Sequence, residues 1–131
     1  MKLNDLLANN LVFQSPYQPQ KIKTILEEQI DSLTPWFFYL ITLSAFWKKR
    51  TSPVCGIVSN NNFEIRNNKN PLNSLRAIGC IKSKNEGTEI RIIFKKPLFP
   101  DFISFYLLKS YKYDRDIIIE FLKEWIKIKD N

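Results

Sequence analysis

No histidine occurs anywhere in this 131-residue chain, and that absence removes more chemistry than any residue present adds. Without imidazole the commonest general base is missing, and neither a Ser/His nor a Cys/His nucleophilic pair can be built. Glycine is almost as scarce. Its three residues, Gly56, Gly79 and Gly87, form no GxGxxG or P-loop lysine motif that would cradle phosphates. Cys55 and Cys80 are isolated, no CxxC occurs, and two thiols fall short of a tetrahedral zinc site. They read as small buried hydrophobes in reduced form, with a disulfide between neighbouring strands as the alternative. The expectation is a protein that is not an enzyme and carries neither metal nor cofactor.

An apolar run long enough to cross a membrane is also lacking. The longest candidate, the twelve residues Trp36 to Trp47, has six aromatic rings and no charge. As a helix it would span about 18 Å, against roughly 30 Å of bilayer hydrocarbon. Met1-Lys2-Leu3-Asn4-Asp5 places an acid where the apolar part of a signal peptide would begin. The expected location is cytoplasmic, with attachment to the periphery of a membrane left open.

What is present is basic charge, and it is unevenly placed. The net charge is +7. Residues 1–47 carry three Lys against four acids, and residues 97–131 carry six of each sign. Residues 48–96 hold eleven Lys/Arg against three Glu, so the whole excess sits in the middle of the chain. Lys outnumbers Arg fifteen to five, and Ile and Asn are abundant, a pattern that compositional drift produces without any anionic partner.

Periodicity predicts the elements. Leu11-Val12-Phe13 reads as a short first strand. Pro19 suits a first helical turn, and Ile22, Ile25, Leu26, Ile30 and Leu33 recur at helical spacing, which predicts a helix over about 19–33 ended by Pro35. From 54 to 96 the pattern becomes a meander of short β-branched runs. Asn60-Asn61-Asn62 marks one hairpin turn, through the tolerance of Asn for positive φ, and Lys84-Asn85-Glu86-Gly87 marks a second. In the last strand Ile90, Ile92 and Phe94 fall on one face, with Arg91 and Lys95 on the other. Residues 98–108 form a second aromatic stretch, expected to open a short helix after Pro100-Asp101. A terminal helix is predicted over about 114–129. Ile118, Phe121, Leu122, Trp125 and Ile128 form its apolar face, Asp114 and Asp116 lie at its start, and Lys127 and Lys129 at its end. Together these give a single α+β domain over 1–131, a curved antiparallel sheet covered by the two helices.

The run Gly56-Ile57-Val58, Phe63-Glu64-Ile65-Arg66, Asn73-Ser74, Gly79-Cys80-Ile81 and Gly87-Thr88-Glu89-Ile90 resembles the pattern of an uncharacterised family of small bacterial proteins. The resemblance covers residues 54–94. That family usually continues into membrane-embedded segments, whereas a charged amphipathic helix follows here. The element order is also similar to helix-grip domains of the START and polyketide-cyclase type, which implies a hydrophobic ligand held between helix and sheet.

Two functional expectations follow. The first is a binding module for a hydrophobic small molecule or a protein partner. Its lining would be Trp36, Phe38, Phe46 and Trp47 from one aromatic segment and Phe99, Phe102, Phe105 and Tyr106 from the other. Residues 36–47 read equally as helix or strand, and their plainest role is core. The second is a basic peripheral protein that meets anionic lipid or nucleic acid through Lys48, Lys49 and Arg50 and through Lys82, Arg91 and Lys95 on the sheet, with Lys84 and Lys96 beside them. Phe63 and Phe94 are in phase with apolar neighbours, so stacking of single-stranded bases on that sheet is not expected. Glu120 and Glu124 share a helix face and read as partners of nearby lysines rather than as a catalytic pair.

Overall fold

The computed structural model describes residues 10–32, 52–69, 74–96 and 104–130. Among them the chain runs β1 (Leu11–Ser15), α1 (Pro19–Gln29), β2 (Asp31–Ser32), β3 (Val54–Ser59), β4 (Asn62–Asn67), β5 (Arg76–Lys84), β6 (Gly87–Lys95), α2 (Ser104–Ile126) and β7 (Lys129–Asp130). The strands form one sheet in the order β2-β3-β4-β5-β6-β1-β7. The meander β3 to β6 is antiparallel, as its hairpin signals require, and β1 returns to pair antiparallel with β6. The two-residue β2 departs from this, lying parallel to β3 at the edge.

Both helices pack on one face of the sheet. Ile22 and Leu26 of α1 and Ile118, Phe121, Leu122 and Ile126 of α2 share one core with Phe13, Ile65, Ala77, Ile90, Ile92 and Phe94 of the strands. Helical spacing on one side meets alternate strand positions on the other, so each element buries its apolar stripe once.

Helix boundaries differ from the sequence expectation for identifiable reasons. Helix α1 stops at Gln29 because Ile30 turns extended (ψ 129), which sends Asp31 into its pairing with Cys55. Helix α2 is one continuous helix of 23 residues from Ser104, not a short helix followed by one from 114. It ends at Ile126, where Lys127 takes a left-handed conformation (φ 55) and reverses the chain. Lys127 and Lys129 therefore lie beyond the helix, and Lys129 pairs with Gln14 in β7. Ile128 is still buried, but from outside the helix; Ile126 fills the neighbouring core position and Trp125 is left 37% exposed. Asp114 and Asp116 fall in the middle of α2 rather than at its start.

Turn chemistry matches in place but not wholly in mechanism. The β3–β4 turn is at Asn60-Asn61, between the paired Ser59 and Asn62, yet among the described residues positive φ belongs to Gly87 and Lys127. Gly87 sits at φ 100 in the β5–β6 hairpin, and a Cβ there would run into the Ser15 carbonyl of β1. Gly79 is a different case. It lies opposite Phe63, and a Cβ at Gly79 would be built into the Phe63 ring. The ring lies over the glycine, filling space that a second side chain would contest.

Gly79→Ala should therefore cost about 1–3 kcal/mol, the usual penalty of overpacking. Shortening the ring in a Phe63→Leu background should recover part of that loss in urea unfolding. Strictly additive effects of the two substitutions would show that the ring does not depend on the missing Cβ.

Candidate functional site

Alternation along the strands sorts charge as strictly as it sorts the core. With Ile90, Ile92 and Phe94 turned towards the helices, Glu89, Arg91, Ile93 and Lys95 of β6 must face away from them. The register then carries this outer face across the sheet in rows. Arg66, Arg76 and Lys95 are cross-strand neighbours; next come Ile57, Glu64, Ile78 and Ile93. Asn62, Cys80, Arg91 and Val12 follow, and then Lys82, Glu89, Gln14 and Lys129. The expected alternation of Arg91 and Lys95 against the core residues is what the structure shows. Lys82, Arg91 and Lys95 all lie exposed on this face, as does Cys80. Phe63 and Phe94 are buried on the other side.

Seven cations stand on the outer face (Arg66, Arg76, Lys82, Lys84, Arg91, Lys95, Lys129) against two carboxylates, Glu64 and Glu89. Each carboxylate works between cations. Glu64 lies 3.2 Å from Arg76 and 3.5 Å from Arg66, and Arg76 Nε also donates to the Lys96 carbonyl at 2.9 Å. Glu89 accepts from Arg91 Nε at 3.0 Å and lies 3.8 Å from Lys84. That hydrogen bond from Arg91 is the main cause that holds the Glu89 carboxyl below the usual carboxylate range. The positive charges of Arg91, Lys84 and Lys82 add to it, while desolvation opposes it. Arg66 is covered (side chain 8% exposed), so the accessible cations concentrate on β5, β6 and β7.

A second arrangement lies where β4 ends, and sequence reasoning passed over it. Adjacent Asn67 and Asn68 each bind an aspartate from a distant segment. Asn67 Nδ2 donates to Asp114 Oδ1 at 2.9 Å, and the Leu75 N–H donates to Asp114 Oδ2 at 3.0 Å. Asn68 Nδ2 donates to Asp31 Oδ2 at 2.7 Å and to the Ser52 carbonyl at 3.0 Å, while the Ser52 N–H donates to the same Asp31 oxygen at 3.2 Å. Beside these pairs an open cleft of about 320 Å³ is lined by Ser52, Pro53, Asn67, Asn68, Lys69, Tyr113 and Ile117. Asp114 accepts with both oxygens and Asp31 accepts two N–H donors on Oδ2, so this cluster fastens α2 and β2 to the rest of the sheet. A signal was available in the sequence, because Asp114 is in helical phase with Ile118 and Leu122. A carboxylate on an apolar stripe needs buried donors.

The remaining sequence candidates fall wholly or in part outside the described residues. Trp36, Phe38, Phe46, Trp47, Lys48, Lys49, Arg50, Phe99 and Phe102 lie outside the described residues. Phe105 and Tyr106 belong to the first turn of α2, with their side chains outside the description. Cys55 is buried as expected, whereas Cys80 is exposed because its position on β5 faces outward beside Arg91, and no disulfide joins the two. Among the described residues no group of three His, Cys, Asp or Glu converges on a point, and no helix is long and apolar enough to cross a membrane. No known protein family, curated protein or solved structure matches the chain.

The two perturbed carboxylates make opposite contributions to stability. Burial pushes the Asp114 carboxyl above its ordinary 3.8, against the hydrogen bonds from Asn67 and Leu75. The folded state therefore binds that proton more readily than the unfolded chain, and this group makes stability rise as pH falls through the raised value towards 3.8. Glu89 acts the other way. Its contribution is present above about 4.5 and is lost as pH falls through its lowered value.

Asp114→Asn keeps the shape but turns an amino group towards one of two N–H donors. It should lower stability by about 1–3 kcal/mol at neutral pH. Urea unfolding from pH 7 downwards should also lose the part of the pH dependence that lies above 3.8. An unchanged profile would mean that the carboxylate is not the titrating group.

Proposed function

We propose that this protein is a non-enzymatic module that binds the phosphate backbone of nucleic acid on the outer face of its sheet, without reading base sequence. The observation that carries the proposal is the one-sided register. Lys82, Arg91 and Lys95 come from two strands onto one exposed face, with Arg76, Lys84 and Lys129 around them.

Electrostatics supports a polyanionic partner. Cations at fixed spacing on a strand framework meet a polyanion whose charges also repeat at fixed spacing, and binding releases the condensed counterions. The face offers side-chain donors for phosphate oxygens and few polar groups that could discriminate base edges, so affinity without sequence preference is the expected mode. Anionic lipid would use the same charges. A membrane-surface protein, however, adds a cluster of protruding apolar or aromatic groups, whereas in the row between the cations Ile78 and Ile93 are half-buried and Ile57 alone is exposed. The alternative of a hydrophobic ligand between the sheet and segments 36–47 and 98–108 depends on rings outside the described residues.

Binding to mixed-sequence nucleic acid, followed by fluorescence anisotropy, should weaken about 100-fold between roughly 50 and 200 mM salt. The triple variant Lys82→Glu/Arg91→Glu/Lys95→Glu should abolish it while circular dichroism still reports a folded sheet. Equal binding by the folded variant would sink the proposal. So would binding confined to phosphatidylserine vesicles, which would move the partner to the membrane surface.

A further inference from the structure

We infer that the nucleic acid taken by this face is double-stranded DNA, gripped across a groove by two separate lines of cations; the inference rests on the phosphate-binding reading above. Along the central β5–β6 pair the outward residues alternate in kind. Arg76 stands opposite Lys95, then Ile78 opposite Ile93, then Cys80 opposite Arg91, then Lys82 opposite Glu89. On β5 and β6 the cations therefore form two lines with the aliphatic pair Ile78 and Ile93 between them, and Glu64 continues that row on β4. Arg76 and Lys95 make the first line; Arg91 and Lys82 make the second, extended by Lys129 on the far strand.

Strand geometry sets the distance between the lines. Lys95 and Arg91 are four residues apart on one strand, about 14 Å, and Arg76 and Lys82 are six apart, about 20 Å. The major groove of B-form DNA is about 12 Å wide, with a phosphate chain on each side. Flexible Lys and Arg stems of several ångströms close the difference. One line can follow each chain while the band of Ile78 and Ile93 spans the groove between them. Glu64 and Glu89 each neutralise part of one line, leaving both lines positive.

The described strand residues of the face also bear on which form of nucleic acid fits it. A single strand laid on a protein has unstacked bases, and the proteins that bind such strands supply aromatic rings for them to stack on. On this face every described strand residue is aliphatic, polar or charged, and Phe13, Phe63 and Phe94 are buried on the helix side. A duplex needs no rings from its partner. Its bases are already paired and stacked, and it presents about one phosphate per 1.7 Å of axis, so charge alone favours it.

The test compares a duplex of about 20 base pairs with each of its own strands at about 100 mM salt, where electrostatic contacts still dominate. The duplex should bind at least about 10-fold tighter, with unrelated sequences within about 3-fold of one another. Lys95→Gln in the first line and Lys82→Gln in the second should each reduce the salt slope of duplex binding by about 0.9. Strands that bind as tightly as the duplex would overturn the inference and leave the phosphate-binding reading intact. A slope that falls for one variant alone would overturn the two-line grip. Binding of neither form would remove the phosphate-binding reading itself.

Discussion

Everything in this protein hangs on the register of the antiparallel ladder from β3 through β6 to β1. Because successive strand side chains point to opposite faces, one pairing decides two things together. It sends Phe13, Ile65, Ala77, Ile90, Ile92 and Phe94 into a single core, and it sends Arg76, Lys82, Arg91 and Lys95 to the other side. A slip of one residue between β5 and β6 would bring Arg91 towards α2 and Ile92 into water. Core and charged face are thus one feature seen from two sides. The hydrophobic cost of misplacing the core is what holds the cations in their rows.

That register is pinned at points where slippage would break a specific fit. At one end Phe63 covers Gly79, an arrangement that exists at one pairing only. At the other, Gly87 lets β6 turn back close to the Ser15 carbonyl of β1. Ser15 itself is buried, donating to the Ile126 carbonyl at 2.5 Å and accepting the Tyr17 N–H at 3.2 Å, so it joins β1 to the end of α2. Asp114 does the same from the middle of α2 by binding Asn67 and the start of β5. A buried carboxylate of this kind adds little net stability, since its desolvation offsets much of what its hydrogen bonds contribute. Its value is positional, because only one placement of the helix along the sheet satisfies all of its donors.

The sequence was most legible where a single periodicity ruled. The alternation of 87–95 placed Arg91 and Lys95 opposite Ile92 and Phe94, and the spacing of Ile22 and Leu26 identified the buried side of α1. It was least legible where a tertiary partner overrode the local signal. Ile30 and Leu33 continue a helical pattern as far as Pro35, but the pairing of Asp31 with Cys55 ends α1 at Gln29. Asp114 and Asp116 look like residues that favour a helix N-terminus. Yet the helix runs back to Ser104, because Asp114 finds its partners in the sheet rather than in the helix dipole. Strand β7 left no pattern of its own. Its two residues pair only because Lys127 reverses the chain beside β1. The Asn67-Asn68 pair read as part of an asparagine-rich composition; its meaning lies in two aspartates 47 and 37 residues away along the chain.

The basic excess of residues 48–96 looks different once it is placed. Drift towards lysine would scatter charge over whichever surface is exposed, and it has no reason to set Glu64 and Glu89 among the cations. Each of these carboxylates bonds an arginine on the same face, and each is largely shielded from water. Cations a strand apart repel one another, at a cost that grows as salt falls. A carboxylate between them relieves that repulsion and orients the guanidinium, but it also reduces the field available to a partner. The face keeps more cations than its carboxylates can balance, with Lys82 and Lys95 among the exposed ones. Two arginines held in place and lysines free to adjust is an arrangement suited to a charged partner. A sheet that merely had to stay hydrated would be more stable with the signs evenly mixed.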